Sequence, residues 1–338
     1  MTGPATSETP VVTVIIPTRN RAALLRELVE SLWKQTLDPR SYEIIVVDNQ
    51  SGDGTAAMMA EMQKASPCRL IFHVMQENKG PIHSRNTAAR MAQAEILAFT
   101  DSDCRVSPDW LERGMAPFAD PNVAFVSGVV LDKPEQPVRF FTFRNGAVPG
   151  EENFSYPACN ILFRKQVFWE MGGFDEGEYV RDIGDKPIEC ADTDLAWRIR
   201  KKGYPNVYVN EAVVYHEVTP MTPWVWLKSQ SRVVMVPLAV RLHPELREKL
   251  CWWGPFFRVE HLLFYIALLG LVLAVLVNPW LALLAAPYVV HGMTIPGTRF
   301  SIVRVPRLLF RSAILAARQA VICASLLYGS LRTRTLIL

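Results

Sequence analysis

The chain is organised around an apolar run that stops on acid: Ile96-Leu97-Ala98-Phe99 passes through Thr100 into Asp101-Ser102-Asp103. Such a run closed by polar residues reads as a buried strand of a parallel sheet, and open α/β sheets collect their ligands at the carboxyl ends of their strands. The two carboxylates therefore belong at the mouth of a cleft. At i and i+2 on a strand end they can hold a divalent cation, and a hard cation with oxygen ligands is a common grip on a diphosphate. Taken by itself, Asp-Ser-Asp is more often a solvated turn. The remainder of the chain decides between these readings.

The preceding sequence repeats one pattern. Residues 11–16 are a β-branched run closed by Pro17, and residues 20–34 place Leu24, Leu25, Leu28 and Leu32 near helical spacing behind Asn20 as N-cap. Residues 43–47 repeat the strand signal and end on Asp48, followed by the turn-forming Asn49-Gln50-Ser51-Gly52-Asp53-Gly54 and a helix over 55–64. A third strand over 69–75 leads through Glu77-Asn78-Lys79-Gly80 into a helix over 81–94. Strands alternating with helices at this spacing argue for βαβ units and a mostly parallel sheet, its polar strand ends aligned along one edge. Asp48 and Asp101 then face one nucleotide, the first accepting from a base N–H and the second from ribose. Gly80 permits close backbone approach, and Arg85 stands one helical turn on, within reach of a phosphate. The plain alternatives are a turn-forming Asp48 and a surface Arg85.

In this order Val14-Ile15-Ile16-Pro17-Thr18-Arg19-Asn20, Val46-Val47-Asp48-Asn49-Gln50-Ser51-Gly52-Asp53-Gly54-Thr55, Asn78-Lys79-Gly80 with Arg85-Asn86, and Asp101-Ser102-Asp103 resemble the successive signatures of family-2 glycosyltransferases of the GT-A fold. The resemblance covers roughly residues 11–220. It implies an inverting transferase that uses a nucleotide-diphosphate sugar of UDP or GDP type. Pro17, Thr18, Arg19, Asp48, Gly80, Arg85 and Asp101 would lie on the donor, and Asp103 on a metal, Mn²⁺ or Mg²⁺.

The acceptor side is expected further on. Asn160 lies in Pro157-Ala158-Cys159-Asn160-Ile161, and Gly172-Gly173-Phe174-Asp175-Glu176 resembles the family's GGFDE element. Glu189-Cys190-Ala191-Asp192-Thr193-Asp194-Leu195-Ala196-Trp197-Arg198 resembles Glu-Asp-x-Asp-Leu-x-x-Arg, with Ala191 where the first acid is usual. The resemblance makes Asp192 the base. It places Asn160, Gly173, Phe174, Asp175, Glu189, Asp194 and Arg198 on the acceptor side, with Asp194 and Glu189 as rival bases. An inverting transfer needs one carboxylate to deprotonate the acceptor hydroxyl opposite the leaving diphosphate. By the same resemblance His216, at the end of a predicted strand, would complete the metal site, and imidazole suits Mn²⁺ better than Mg²⁺. Alone, a histidine there is more often structural.

The last third has another character. Residues 228–338 carry 13 Lys/Arg against 3 Asp/Glu, so the chain's net charge of +3 hides an acidic first part and a basic, apolar tail. Basic residues among Leu, Trp and Phe suit an anionic lipid surface and exclude nucleic acid as the expected partner. From His261 to Thr298 there are 38 residues without Asp, Glu, Lys or Arg, close to two short spans of about 20 residues each. A hairpin turning at Asn278-Pro279 is expected, with one kinked helix or a re-entrant pair as rivals. Trp252, Trp253 and Arg258 before the run, and Arg299, Arg304, Arg307 and Arg311 after it, make a collar on the cytoplasmic side. Residues 306–327, interrupted by Arg307, Arg311, Arg318 and Gln319, are expected to lie along the interface. Residues 224–242 mix Trp and basic residues with apolar ones, either bordering an acceptor at the membrane or packing as a plain helix.

The expected organisation is a flexible start over 1–10, an α/β GT-A domain over 11–222, amphipathic connecting helices over 223–258, and a membrane hairpin with an interfacial helix over 259–338. The six cysteines, Cys68, Cys104, Cys159, Cys190, Cys251 and Cys323, form no CxxC pair, which fits a reducing compartment. With a polar start lacking a signal pattern, the catalytic domain is expected on the cytoplasmic face of the inner membrane. The expected acceptor is a lipid-linked, polyprenyl-type or envelope saccharide. A sugar nucleotidyltransferase would carry a Gly-Gly-x-Gly-Thr-Arg type loop where this chain has Pro17-Thr18-Arg19-Asn20. A non-catalytic nucleotide-sugar-binding scaffold draws support from Ala191, but needs no base opposite a metal. Gln230-Ser231-Arg232-Val233 only faintly echoes the Gln-x-x-Arg-Trp element of processive relatives.

Overall fold

The computed structural model describes residues 9–145, 150–176, 190–294 and 305–338. The described residues up to Pro220 form one compact unit, and those from Met221 onward form a second.

The first unit is built on an eight-stranded sheet. Its strands are β1 (Val12–Thr18), β2 (Tyr42–Asp48), β3 (Arg69–Val74), β4 (Ile96–Phe99), β5 (Cys104–Val106), β6 (Phe125–Asp132), β8 (Ile161–Arg164) and β9 (Asn206–His216); β7 (Thr142–Phe143) pairs separately with β10 (Thr219–Pro220). The sheet order is β3-β2-β1-β4-β8-β6-β9-β5. The first four neighbours run parallel, β8 runs antiparallel between β4 and β6, and β9 returns parallel to β6. Every residue of β1 and β2 is buried, which explains why these strands read as continuous apolar runs without alternation. The helices are α1 (Ala22–Leu32), α2 (Thr55–Ala65), α3 (Pro81–Met91), α4 (Trp110–Met115), α5 (Lys165–Glu170) and α6 (Ala191–Lys201). Leu25, Leu28, Val29 and Leu32 of α1 join Val12, Val14, Ile44, Val46, Ala98 and Leu162 in one core.

Parallel register aligns the strand ends. Thr18 stands beside Asp48, and Ile15 pairs with Phe99, so the residues after β1, β2 and β4 emerge on one edge. The expected boundaries hold to within a few residues, but nothing in the sequence announces β5. After a turn in which the Cys104 amide donates to the Asp101 carbonyl at 3.0 Å, the chain enters this three-residue strand, paired antiparallel with the end of β9 so that Cys104 faces His216. The Glu217 amide donates to the Asp103 carbonyl at 3.0 Å. That pairing, rather than any sequence proximity, carries His216 to the Asp-Ser-Asp turn.

The second unit is helical: α7 (Pro223–Ser229), a 3₁₀ stretch (Gln230–Met235), α8 (Val236–Leu242), α9 (Leu246–Leu250), α10 (Val259–Leu276), a second 3₁₀ stretch (Pro279–Ala285), α11 (Ala286–Thr294) and α12 (Val305–Thr333). The expected turn is present at Asn278, whose side chain accepts from the Trp280 amide at 3.0 Å. The returning arm packs closely: a Cβ on Gly270 would meet Leu284 Cβ at 2.5 Å and the Leu281 carbonyl at 2.8 Å. Helix α12 is longer than expected. Its stretch Ser312–Thr333 and α10 are both long and apolar enough to cross a membrane, with mean hydropathy 1.5 and 2.3. The collar residues Arg299 and Arg304 lie outside the described residues.

Candidate active site

Asp101 and Asp103 sit where the edge of the sheet opens, each held by a guanidinium. Arg85 Nη2 donates to Asp101 Oδ1 at 2.6 Å, and Arg21 Nη1 lies 2.7 Å from Asp103 Oδ2. Burial pushes the Asp101 carboxyl up, but the charge and hydrogen bond of Arg85, reinforced by His216 and Arg21, outweigh it and hold the acid below its ordinary range. Arg85 is thus placed on the Asp101 carboxylate.

His216 Nε2 lies 3.6 Å from Asp103 Oδ1, a buried oxygen with no hydrogen-bond partner among the described residues. On its other side the ring approaches the Glu217 carbonyl through Nδ1 at 3.0 Å. An Nδ1–H donates to that carbonyl, and in the neutral ring Nε2 then carries the lone pair, 2.9 Å from the Asn145 side-chain amide. A ring fixed by a backbone carbonyl on one nitrogen, with the other aimed at an unsatisfied carboxylate oxygen, is how proteins orient a metal-binding histidine. Cys104 supplies a third donor atom, all three within 4.8 Å of one another. The donor set fits a divalent cation.

Asp192 opens α6. Its carboxylate accepts from the Ala158 amide at 2.9 Å and the Thr193 amide at 2.8 Å. Burial is the largest influence and raises its pKa; the two amides and Arg85 pull the other way without cancelling it. Asp192 thus combines fixed orientation with a proton affinity above that of an ordinary aspartate. Ala191, at the position of the missing acid, is buried.

The residues expected on the donor side follow the same strand ends. Asp48 is buried and binds the Ser51 amide at 3.1 Å and the Ser51 hydroxyl. Thr18 follows Pro17 at the end of β1 with its hydroxyl buried, and Arg19 is exposed beyond it. Gly80 precedes α3 with φ +88°, a backbone that a side chain would strain.

The expected acceptor residues divide. Asn160 is fully buried: its oxygen accepts from Trp110 Nε1 at 2.9 Å, and its nitrogen donates to the Val129 and Ala212 carbonyls at 2.8 Å each. With its amide committed to the β6–β9 bulge, Asn160 stands in the core. Phe174 is buried among Phe99, Phe163 and Phe168. Arg198 binds Asp194 at 2.8 Å and the carbonyls of Met171 and Gly173, while Asn86 bonds the amide and carbonyl of Phe174 at 3.1 and 2.7 Å. Gly173 (φ +71°), Asp194 and Arg198 therefore brace the turn that ends in the exposed Asp175. Glu189 lies outside the described residues. Sequence reasoning missed Arg21 and Asn145. Arg21, two residues beyond the quoted Arg19, was open to notice; Asn145 has no motif around it.

The model of the Glycosyl transferase family 2 matches residues 13–172. The chain is 30% identical over 234 residues to Glycosyltransferase AglE of Haloferax volcanii, an alignment covering 68% of this chain and 73% of that protein. It is 32% identical over 248 residues to the pre-mycofactocin glycosyltransferase of Mycobacterium tuberculosis, covering 69% of this chain and about half, 48%, of that one. Among solved structures, a mannosyltransferase from Pyrobaculum calidifontis in complex with GDP-Man and Mn²⁺ shares the fold with TM-score 0.56 at 22% identity, over 97% of this chain and 88% of its own. With the strand-end carboxylates in place and a relative of this similarity aligned across most of its length, the chain belongs to the family-2 glycosyltransferases.

Proposed function

We propose that this glycosyltransferase inverts configuration, depends on a divalent cation, and moves a sugar from a nucleotide-diphosphate sugar to a hydroxyl of a lipid-linked or envelope saccharide at a membrane. The observation that carries the reading is the pairing of two environments. Asp101, Asp103 and His216 gather at the strand ends, and Asp192 is a separate carboxylate of raised proton affinity. Arg85 holds Asp101 low while burial holds Asp192 high, so of these carboxylates Asp192 is the one poised to take a proton.

In this reading Asp103 and His216, with Cys104 beside them, would hold the cation, the imidazole favouring Mn²⁺ over Mg²⁺. When bound it would stabilise the charge growing on the leaving diphosphate. Asp192 accepts the acceptor's hydroxyl proton as that oxygen forms its bond to the anomeric carbon. The bond from that carbon to the diphosphate breaks on the opposite face, its electron pair leaving with the nucleotide. The donor assignment draws support from the GDP-Man bound by the Pyrobaculum structure, and the acceptor class from the apolar helices of the second unit.

The test is a screen of nucleotide-sugar hydrolysis by detergent-solubilised protein with Mn²⁺, Mg²⁺ or chelator. Turnover of a UDP- or GDP-sugar with a cation and loss of turnover in chelator are expected. Undiminished activity in chelator would remove the metal from the mechanism, as would full activity of Asp103→Ala.

A further inference from the structure

The contact between Arg21 and Asp103 sets a guanidinium against the expected cation at one carboxylate. Asp103 Oδ1 faces His216 Nε2 at 3.6 Å, and Oδ2 carries Arg21 at 2.7 Å. Any cation taken by Asp103 and His216 must share that carboxylate with a guanidinium. The formal charges make the conflict plain. Asp101 is matched by Arg85 and Asp103 by Arg21, so the four groups cancel. A divalent cation entering alone leaves two uncompensated positive charges, whereas a cation accompanied by a nucleotide-diphosphate sugar, whose diphosphate bears two negative charges, restores balance.

Arg21 is also built to change partners. Its backbone is fixed: the next amide, of Ala22, donates to Asp53 at 3.0 Å, and Asn20 is tied to Ser51 and Gly52 at 2.7 and 2.8 Å. The loop after β1 is thereby fastened to the loop after Asp48, the expected donor side. The Arg21 side chain is 44% exposed. A half-exposed guanidinium on a fixed backbone can leave Asp103 by side-chain rotation alone once another anion takes it up, and a guanidinium binds phosphate oxygens bidentately.

Resting on the cation and donor assignments above, we propose that Arg21 couples the two ligands: it competes with the cation for Asp103 and is released by binding the donor's diphosphate. The wild-type site then takes Mn²⁺ weakly by itself and strongly with nucleotide. Arg21 is a donor-binding and positioning residue in this scheme, distinct from the base.

Mn²⁺ binding is followed on the full chain in detergent by the loss of the free-ion electron paramagnetic resonance signal, without nucleotide and with UDP or GDP. For Arg21→Gln we expect bare Mn²⁺ to bind about tenfold tighter, about 1.4 kcal/mol, and Mn²⁺-dependent nucleotide binding to weaken by a similar factor. Arg21→Lys keeps the charge and should stay near wild type for bare Mn²⁺. A merely structural role would weaken both ligands together. Unchanged or weaker binding of bare Mn²⁺ by Arg21→Gln, when the wild type binds Mn²⁺ with nucleotide, overturns the coupling and leaves the metal assignment standing. A wild type that takes up no Mn²⁺ with either nucleotide overturns both.

Discussion

Asp192 is the residue whose chemistry is most open to measurement. As the proposed base, a carboxylate raised by burial reaches its ionised form only as pH climbs through that raised value. The acid limb of kcat/KM should therefore lie above the ordinary aspartate range of about 4. Asp192→Asn should lower the rate about 10²-fold or more, the usual scale of general base work, with donor affinity near wild type. The stability consequence has a definite sign. A folded-state pKa above the unfolded one means that the native state binds the proton more tightly, so this group's contribution to stability falls as pH rises through the window between them. The carboxamide introduced by Asp192→Asn is neutral, but its single oxygen can serve only one of the Ala158 and Thr193 amides, so the variant should gain no stability over wild type at neutral pH, as denaturant melts would show. An acid limb at or below about 4, or a variant that keeps its rate while Glu189→Gln is crippled, would move the base elsewhere.

At the scale of elements, the strand ends are legible in the sequence and the cross-strand partners are not. β1, β2 and β4 show because their residues are buried on both faces, so apolar runs closing on Asp48 and Asp101 mark their ends. β5 escapes notice because three residues, Cys104–Val106, carry no period, and only its pairing with β9 explains why His216 meets Asp103. The burial of Asn160 escapes notice for a related reason: its partners Val129 and Ala212 lie 31 and 52 residues away, and nothing local distinguishes a buried amide that bridges strands from an exposed one that greets a substrate. The difference is testable. Asn160→Ala leaves the Trp110 indole N–H and two buried carbonyls without their partner, and each unsatisfied buried group costs about 1–3 kcal/mol. A marked loss of stability in denaturant melts of the full chain is expected, together with near-normal acceptor KM in whatever fraction stays folded. Unchanged stability with an altered acceptor KM would return Asn160 to the acceptor side.

At the scale of the whole molecule, the second unit poses a problem that water alone cannot solve. Val275, Leu276 and Val277 at the end of α10 are 86%, 74% and 71% exposed, Trp280 at the turn is 75% exposed, and Leu268, Leu269, Leu271 and Val272 add to the same apolar surface. Contiguous exposure on this scale marks a surface that something covers. A bilayer fits because Leu, Ile, Phe and Val each favour insertion by about 0.3–0.6 kcal/mol at a helix centre, and no Asp, Lys or Arg interrupts residues 261–298 to add its opposing cost of about 2.5–3.5 kcal/mol. Helix α10, at 18 residues, spans about 27 Å, close to the hydrocarbon thickness, and returns through the Asn278 turn against Gly270. The protein should therefore sediment with membranes and resist extraction by high salt, yielding only to detergent. The double variant Leu271→Arg, Val275→Arg places two charges on the exposed face and should shift the protein to the salt-extractable or soluble fraction. An Asn278→Cys variant in cells should be labelled by an impermeant thiol reagent from outside if α10 crosses, and an Arg258→Cys variant only after permeabilisation. Protection at both positions would place the hairpin as a re-entrant or interfacial element. Salt-extractable wild-type protein would mean that the apolar face is covered by protein instead, and the lipid-linked acceptor would lose its physical support while the transferase chemistry at Asp103 and Asp192 stood on its own geometry.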